Sequence, residues 1–284
     1  MANAASRRVF IAAATSALLA CTAPATTTGP SLPKTDAATA AALDAALAGG
    51  HRSAANRARD VYRHPKETLT FFGLRQDMTV VELWPGTGGW YTEVLAPVLK
   101  EKGTYYAAHI NPAESPQPAQ DGLKAYRAKL AANPDVYGKV VVTALGANAL
   151  EIAPAGSADL VVTFRNIHNW MGREWATKAV EAVFRALKPG GVLGVVEHRG
   201  NPAVPQDPKA ASGYVNEDYA IQLIEAAGFK LIGRSEINAN PKDTKDYEKG
   251  VWTLPPVYRL GDKDREKYAA IGESDRMTLK FVKP

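Results

Sequence analysis

From residue 79 to the C-terminus, short apolar runs rich in β-branched residues alternate with longer stretches whose apolar positions recur at helical spacing. The runs predict strands at 79–84, 104–109, 139–145, 159–165, 191–198, 230–237 and 277–282. The periodicity between them predicts helices at 90–100, 120–132, 173–187 and 216–227. Ahead of these, 36–48 reads as an alanine-rich helix stopped by Gly49-Gly50. Ser53 caps a second helix that ends at His64-Pro65, and 66–72 forms a third that leads through Gly73 into the first strand. Such alternation predicts an α/β fold, an open twisted sheet of parallel strands joined by right-handed helical crossovers, with its ligand at the strands' carboxyl ends. Residues just past each strand are therefore the functional candidates.

The first of these strand ends carries the densest signal. Val80-Val81-Glu82-Leu83 suits a buried strand, and Trp84-Pro85-Gly86-Thr87-Gly88-Gly89 turns from it into a helix starting at Trp90. Gly86, Gly88 and Gly89 let the backbone turn tightly and approach a ligand, which the positive end of the helix then faces. The residues read as a cradle for a nucleotide-like ligand.

Composition narrows the class without naming a chemistry. The 284 residues, 46% hydrophobic and 22% charged, suit a globular domain with an appendage and exclude a chain dominated by disorder. The formal charge is +5, and removing residues 1–20 takes away Arg7 and Arg8 and leaves 32 basic against 29 acidic side chains. So small an excess gives no reason to expect nucleic acid as a partner.

The N-terminus reads as an export signal. Ser6-Arg7-Arg8-Val9-Phe10-Ile11 resembles a twin-arginine (Tat) pattern, and the apolar run from Ile11 to Ala20 is too short to span a bilayer. Leu18-Leu19-Ala20-Cys21 resembles a lipobox, which would make Cys21 the lipidated first residue of a membrane-anchored periplasmic protein; the alternative is an ordinary cleaved signal in which Cys21 is incidental. Residues 22–35, rich in Thr, Ala and Pro, read as a flexible tether. Cys21 is the sole cysteine, so the mature domain has no internal disulfide and no thiol nucleophile.

Three of the five histidines, His109, His168 and His198, fall at or just past the second, fourth and fifth predicted strands. A positioned imidazole there can take a proton from a hydroxyl, amine or thiol, and it can equally serve only to hydrogen-bond a loop backbone. His109, His168 and His198 with Glu197 have the ligand types of a zinc site, but their spacing matches no recognised metal motif, and no metal is expected.

From about Asp60 onward the chain resembles a class I S-adenosylmethionine-dependent methyltransferase. The resemblance rests on the turn from Glu82 to Gly88, the Asp159-Leu160-Val161-Val162 strand, the Leu187-Lys188-Pro189-Gly190-Gly191 turn and the Ala227-Gly228-Phe229 turn. More narrowly, Arg63-His64-Pro65, Pro85-Gly86, Asn166-Ile167-His168-Asn169-Trp170 and Val251-Trp252-Thr253-Leu254-Pro255-Pro256 look like an exported, uncharacterised subgroup. The resemblance implies a Rossmann-like seven-stranded, mostly parallel sheet with helices on both faces and the last strand inserted antiparallel beside 230–237. It implies S-adenosylmethionine as cofactor and a small-molecule acceptor. Glu82, Gly86 and Gly88 would hold the cofactor, Asn148 would meet the adenine, and Asn166, His168, Trp170 and His198 would stand near the transferred methyl group.

Two positions depart from the pattern. Trp84 stands where members commonly carry glycine, and His109 stands where a carboxylate usually accepts both ribose hydroxyls, which a neutral imidazole with one acceptor nitrogen cannot do. Both substitutions are expected to crowd or weaken the cofactor site. They keep open a second reading, an exported non-catalytic ligand-binding lipoprotein that retains the fold. Residues 238–276, with Trp252, Pro255, Pro256 and Tyr258, are read as a lid-like insertion or, equally, as an Ω-loop packed on its own aromatics.

Overall fold

The computed structural model describes residues 1–2 and 32–284. The export signal, the lipobox with Cys21 and most of the predicted tether lie outside the described residues. Among those described, no helix is long and apolar enough to cross a membrane.

The seven predicted strands all form: β1 (Thr79–Leu83), β2 (Thr104–Ile110), β3 (Val141–Leu145), β4 (Ala158–Phe164), β5 (Leu187–His198), β6 (Lys230–Ser235) and β7 (Arg276–Val282). They make one sheet in the order β3-β2-β1-β4-β5-β7-β6. The β1–β5 pairings are parallel, and β7 runs antiparallel between β5 and β6. This is the Rossmann-like arrangement expected. The strand β5 starts at Leu187, so the predicted turn at 187–191 is drawn into the ladder by Ala158 opposite Leu187.

The helices are more divided than the periodicity suggested. The N-terminal region carries α1 (Ala37–Ala48), α2 (Ala54–Arg57), α3 (Asp60–Arg63) and α4 (Pro65–Phe72), with Asp36 and Ser53 capping α1 and α2. His64, at φ +39°, separates α3 from α4 at the expected His64-Pro65 stop, whereas the single helix expected from Ser53 to that stop is divided into α2 and α3. The crossovers contain α5 (Thr92–Leu99), α6 (Gln117–Ala132), α7 (Pro134–Tyr137), α8 (Ile167–Gly172), α9 (Ala176–Ala186) and α10 (Glu217–Glu225). Residues 238–276 hold a 3-10 turn at Gly250–Thr253 and α11 (Arg265–Ile271).

Alternation along β1 divides the core in two. Val81 and Leu83 face the apolar cluster that includes α9 and α10, whereas Val80 faces the one that includes α1, α4 and α5. Period-two alternation would place Trp84 on the same face as Val80 and Glu82. Trp84 instead has φ +46°, and its indole packs with Leu83 against Trp170 and Trp175. A left-handed backbone at a bulky residue costs about 1–3 kcal/mol and is held only by the surrounding structure.

Candidate active site at the carboxyl edge of the sheet

The glycine turn forms as predicted, and its glycines do different work. Gly86 has φ +73°, and a Cβ built on Gly86 or Gly88 meets no atom within 4 Å, so both face open space above the strand ends. Gly89 is packed instead, because its Cβ would lie 2.7 Å from the Tyr126 ring.

Beside this turn lies a cavity of about 560 Å³, bordered by Trp84, Asn111, Glu114, Asn148, Arg173 and Trp175. It sits over the ends of β1, β2 and β3. Trp84 walls it without plugging it: the indole Nε1 donates to the Leu145 carbonyl at 2.9 Å, and the Arg173 guanidinium lies 5.3 Å from the ring centroid. The left-handed φ of Trp84 thus swings the side chain aside.

His109 is not among the cavity's lining residues. Its ring lies 5.1 Å from that of Tyr126, and Nδ1 accepts from the Ile110 amide at 2.8 Å. Burial pushes its pKa down to about 4, only partly offset by the Gly86 carbonyl, so the imidazole is neutral with Nε2 carrying the proton. Glu114, which sequence reasoning passed over, borders the cavity in its place. Its Oε1 accepts from Asn111 Nδ2 at 2.7 Å and from the Asn148 amide at 3.0 Å. The Asn-Pro pair after β2 was the available signal, since it starts the tight turn that returns Glu114 toward the strand ends.

Glu82 lies under the turn, buried to 2% exposure. Tyr105 donates a short hydrogen bond to its carboxylate, and Thr92 Oγ1 adds one at 3.3 Å. Burial raises its pKa to about 7 despite those hydroxyls and the nearby Arg165 and Arg63. The turn's own amides are not capped by it.

On the other side of β1, the fourth and fifth strand ends bring His168 and His198 together, with ring centroids 5.4 Å apart. Glu197, fully buried at the end of β5, organises them. One oxygen accepts from the Ile167 amide at 2.6 Å, and the other accepts from His168 Nδ1 at 3.0 Å and the His198 amide at 2.8 Å. Asn169 Nδ2 stands 3.0 Å from His168 Nε2. An amide donor there leaves His168 with its proton on Nδ1 and its lone pair on Nε2. His198 Nδ1 pairs with Ser274 Oγ at 2.6 Å, and burial, together with the neighbouring His168 and the charges of Arg276, Arg165 and Arg63, holds its pKa far below the usual range. From the insertion, Trp252 reaches His168 with centroids 6.0 Å apart.

His168, Glu197 and His198 offer ligand atoms within 4.8 Å of one another. Glu197 already accepts several N–H donors, and the arginines around His198 make the surroundings cationic, which opposes a divalent cation. His109, the remaining histidine of the zinc set considered above, packs on Tyr126 instead.

Asn166 and Trp170 are placed differently from the expectation that both face a reacting group. Asn166 Nδ2 donates to the Leu83 carbonyl at 2.8 Å and approaches Thr163 Oγ1 at 3.2 Å, bracing the ends of β1 and β4. Trp170 is 1% exposed and spends its aromatic surface on Trp84 and Trp175, because α8 turns it into the core.

No known family profile matches the chain. Over 147 residues it is 32% identical to the ubiquinone/menaquinone biosynthesis C-methyltransferase UbiE of Salmonella arizonae, a match covering 52% of this chain and 53% of that protein. The chain spans about half the length of the curated relatives it matches. Among solved structures, a SAM-dependent methyltransferase from Aquifex aeolicus superposes with a TM-score of 0.54 at 17% identity, over 80% of this chain and 93% of that one. Geranyl diphosphate C-methyltransferase from Streptomyces coelicolor A3(2), in complex with Mg2+, geranyl diphosphate and S-adenosyl-L-homocysteine, gives 0.54 at 15% identity over 84% and 88%. The chain therefore has the class I S-adenosylmethionine-dependent methyltransferase fold.

Proposed function

We propose that this chain transfers a methyl group from S-adenosylmethionine to a small-molecule acceptor. The observation that carries the reading is the cavity over the ends of β1, β2 and β3, which has the size and polar lining for a nucleoside and is walled by Trp84, two residues before the open Gly86. These residues fit the cofactor: Trp84 supplies a flat apolar wall, Asn148 a side-chain amide for the adenine, and Glu114 a carboxylate for the ribose hydroxyls that His109 does not face. Glu82 lies below, where ionisation would give a partner for an amino group.

The bound cofactor supplies an electrophilic methyl group on a sulfonium. The protein's part is to align the acceptor and remove its proton. His168 Nε2 is the base in this reading: Glu197 holds its Nδ1–H, so the free lone pair points one way, and the acceptor's donor group takes over the place that Asn169 Nδ2 fills. His198, kept neutral, adds a second polar contact beside it. Trp252 closes the same side, so 238–276 acts as a lid.

The Arg7-Arg8 pair and Leu18–Cys21 support export and lipid anchoring, so we place the site outside the cytoplasm, with the cofactor carried out on the folded chain. Calorimetric titration of the purified protein with S-adenosylhomocysteine tests the function. Binding in the micromolar range is expected, and a folded sample that gives no heat overturns it.

A further inference from the structure

Next to the histidine pair the protein buries more positive charge than it neutralises. Glu273, 2% exposed, is the common partner of three arginines: Arg59 Nε donates at 2.5 Å, Arg63 Nε lies at 3.6 Å, and Arg276 Nη2 closes a shorter contact. Burial alone would raise this carboxyl, but the arginines hold it at about 2. A fourth guanidinium, Arg165, shares the field of Arg276, Arg59 and Glu273, and it acts in turn on Arg63.

The donors in this cluster are not all used. Arg276 Nη1 reaches the Tyr62 carbonyl at 2.8 Å. Arg63, 4% exposed, donates no hydrogen bond from its Nε among the described residues, and its guanidinium rests 4.6 Å from the Trp90 ring centroid. Arg165 makes no side-chain hydrogen bond or ion pair among the described residues, although each guanidinium carries five N–H donors. It keeps some accessible surface and is held at φ +63° at the end of β4, with its amide on the Val196 carbonyl at 2.7 Å. Enclosed cations lacking acceptors are costly unless a ligand supplies them.

We propose that Arg165 and Arg63, backed by Arg276 and Arg59, form an anion site that holds a carboxylate or phosphate of the acceptor, which makes the acceptor an anionic small molecule. The inference rests on the methyl-transfer reading for the identity of the second ligand. We take the anion to belong to the acceptor; because Arg165 and Arg63 also act on Glu82, the amino-acid part of the donor is the competing source, which the calorimetry below tests. Arg165 ends β4, Arg276 opens β7 and His198 ends β5, all on the opposite side of β1 from the cavity over β2 and β3. An anion gripped there presents the rest of its molecule to His168 and His198. Guanidinium groups bind either oxyanion through paired N–H donors, so the two probes below cover both.

Thermal unfolding in sodium benzoate and in sodium phosphate, each against sodium chloride at equal ionic strength, reads the site directly. At least one of the two anions is expected to raise the wild-type Tm above the chloride value, and Arg165→Gln is expected to need roughly tenfold or more of that anion for the same rise. Arg165→Lys should recover part of the response. Because Arg165 bonds to no other described side chain, Arg165→Gln should fold, with a Tm in chloride at least as high as the wild type. A wild-type midpoint indifferent to both anions, or a response unchanged in Arg165→Gln, overturns the site. Calorimetry with S-adenosylhomocysteine and 5′-methylthioadenosine separates the two sources of carboxylate. Equal binding of each compound by wild type and Arg165→Gln supports the acceptor, whereas a loss confined to S-adenosylhomocysteine assigns the cluster to the donor and overturns the proposal. A protein that responds to the anion but binds neither nucleoside overturns the methyl-transfer reading and leaves the anion site standing.

Discussion

His168 Nδ1 lies 3.0 Å from Glu197 Oε1, and the same buried carboxylate also holds the backbone amides of Ile167 and His198. One side chain thus sets the imidazole's tautomer and ties the start of α8 to the end of β5. Glu197→Gln replaces an acceptor-only group by one with two donors facing those N–H groups. We expect a loss of about 2–4 kcal/mol in urea unfolding. We also expect the 15N shifts of His168 to show a mixture of tautomers in place of the Nδ1-protonated form; an unaltered tautomer would sink this assignment.

Trp84 separates strain from packing. At φ +46° glycine is relaxed and alanine is not, so Trp84→Gly should be more stable than Trp84→Ala by about 1 kcal/mol, although both lose the Leu145 hydrogen bond and the aromatic contacts. If the indole walls the cavity, both variants bind S-adenosylhomocysteine more weakly than wild type. Tighter binding by Trp84→Gly would show that the indole obstructs the site.

Glu114 is expected to carry the ribose contact. Glu114→Gln should weaken S-adenosylhomocysteine by roughly tenfold in calorimetry, because one charged acceptor is lost. His109→Gln, with its ring off the cavity wall, should change the affinity much less. The reverse order would restore His109 to the cofactor.

The pH dependence of stability should carry the mark of Glu82, whose pKa is raised by burial from 4.5 to about 7. The folded chain holds this proton more tightly than the unfolded chain does. The stability it contributes is therefore complete below about pH 4.5 and is lost as pH rises through about 7. Glu82→Gln stays neutral throughout. Its stability relative to wild type should rise by about 3 kcal/mol between about pH 5 and about pH 8, and a difference that stays flat across this range would count against the buried proton.

Lipid anchoring has its own test at Cys21, outside the described residues. In bacterial cells, Cys21→Ser is expected to move the protein from the membrane fraction to the soluble one. Equal fractionation of both forms would favour an ordinary cleaved signal.

Much of the scaffold was legible along the chain. All seven strands, the glycine turn and the antiparallel last strand follow from apolar periodicity and turn chemistry together with the resemblance they support. The pairing of His168 with His198 was legible too, because β4 and β5 are neighbours and both residues stand at their carboxyl ends. The helix break at His64-Pro65 was legible as well, but the split of the helix before it into α2 and α3 was not, since Ala58 and Arg59 keep right-handed dihedrals and hydrophobic periodicity does not mark a break between two such short turns.

The site shows where that legibility stops. Sequence alone determined which strand ends would border a ligand and that Gly86 and Gly88 would leave the backbone open. It could not show that Trp84 would turn to the opposite face from Glu82, that Glu114 would take the cavity edge while His109 packed on Tyr126, or that Arg59 would meet Glu273, 214 residues away. Backbone preference and alternation act between near neighbours, and the chain writes them locally. A buried ion cluster or a swung indole depends on which side chains compete for the same enclosed space, and only the assembled fold decides that.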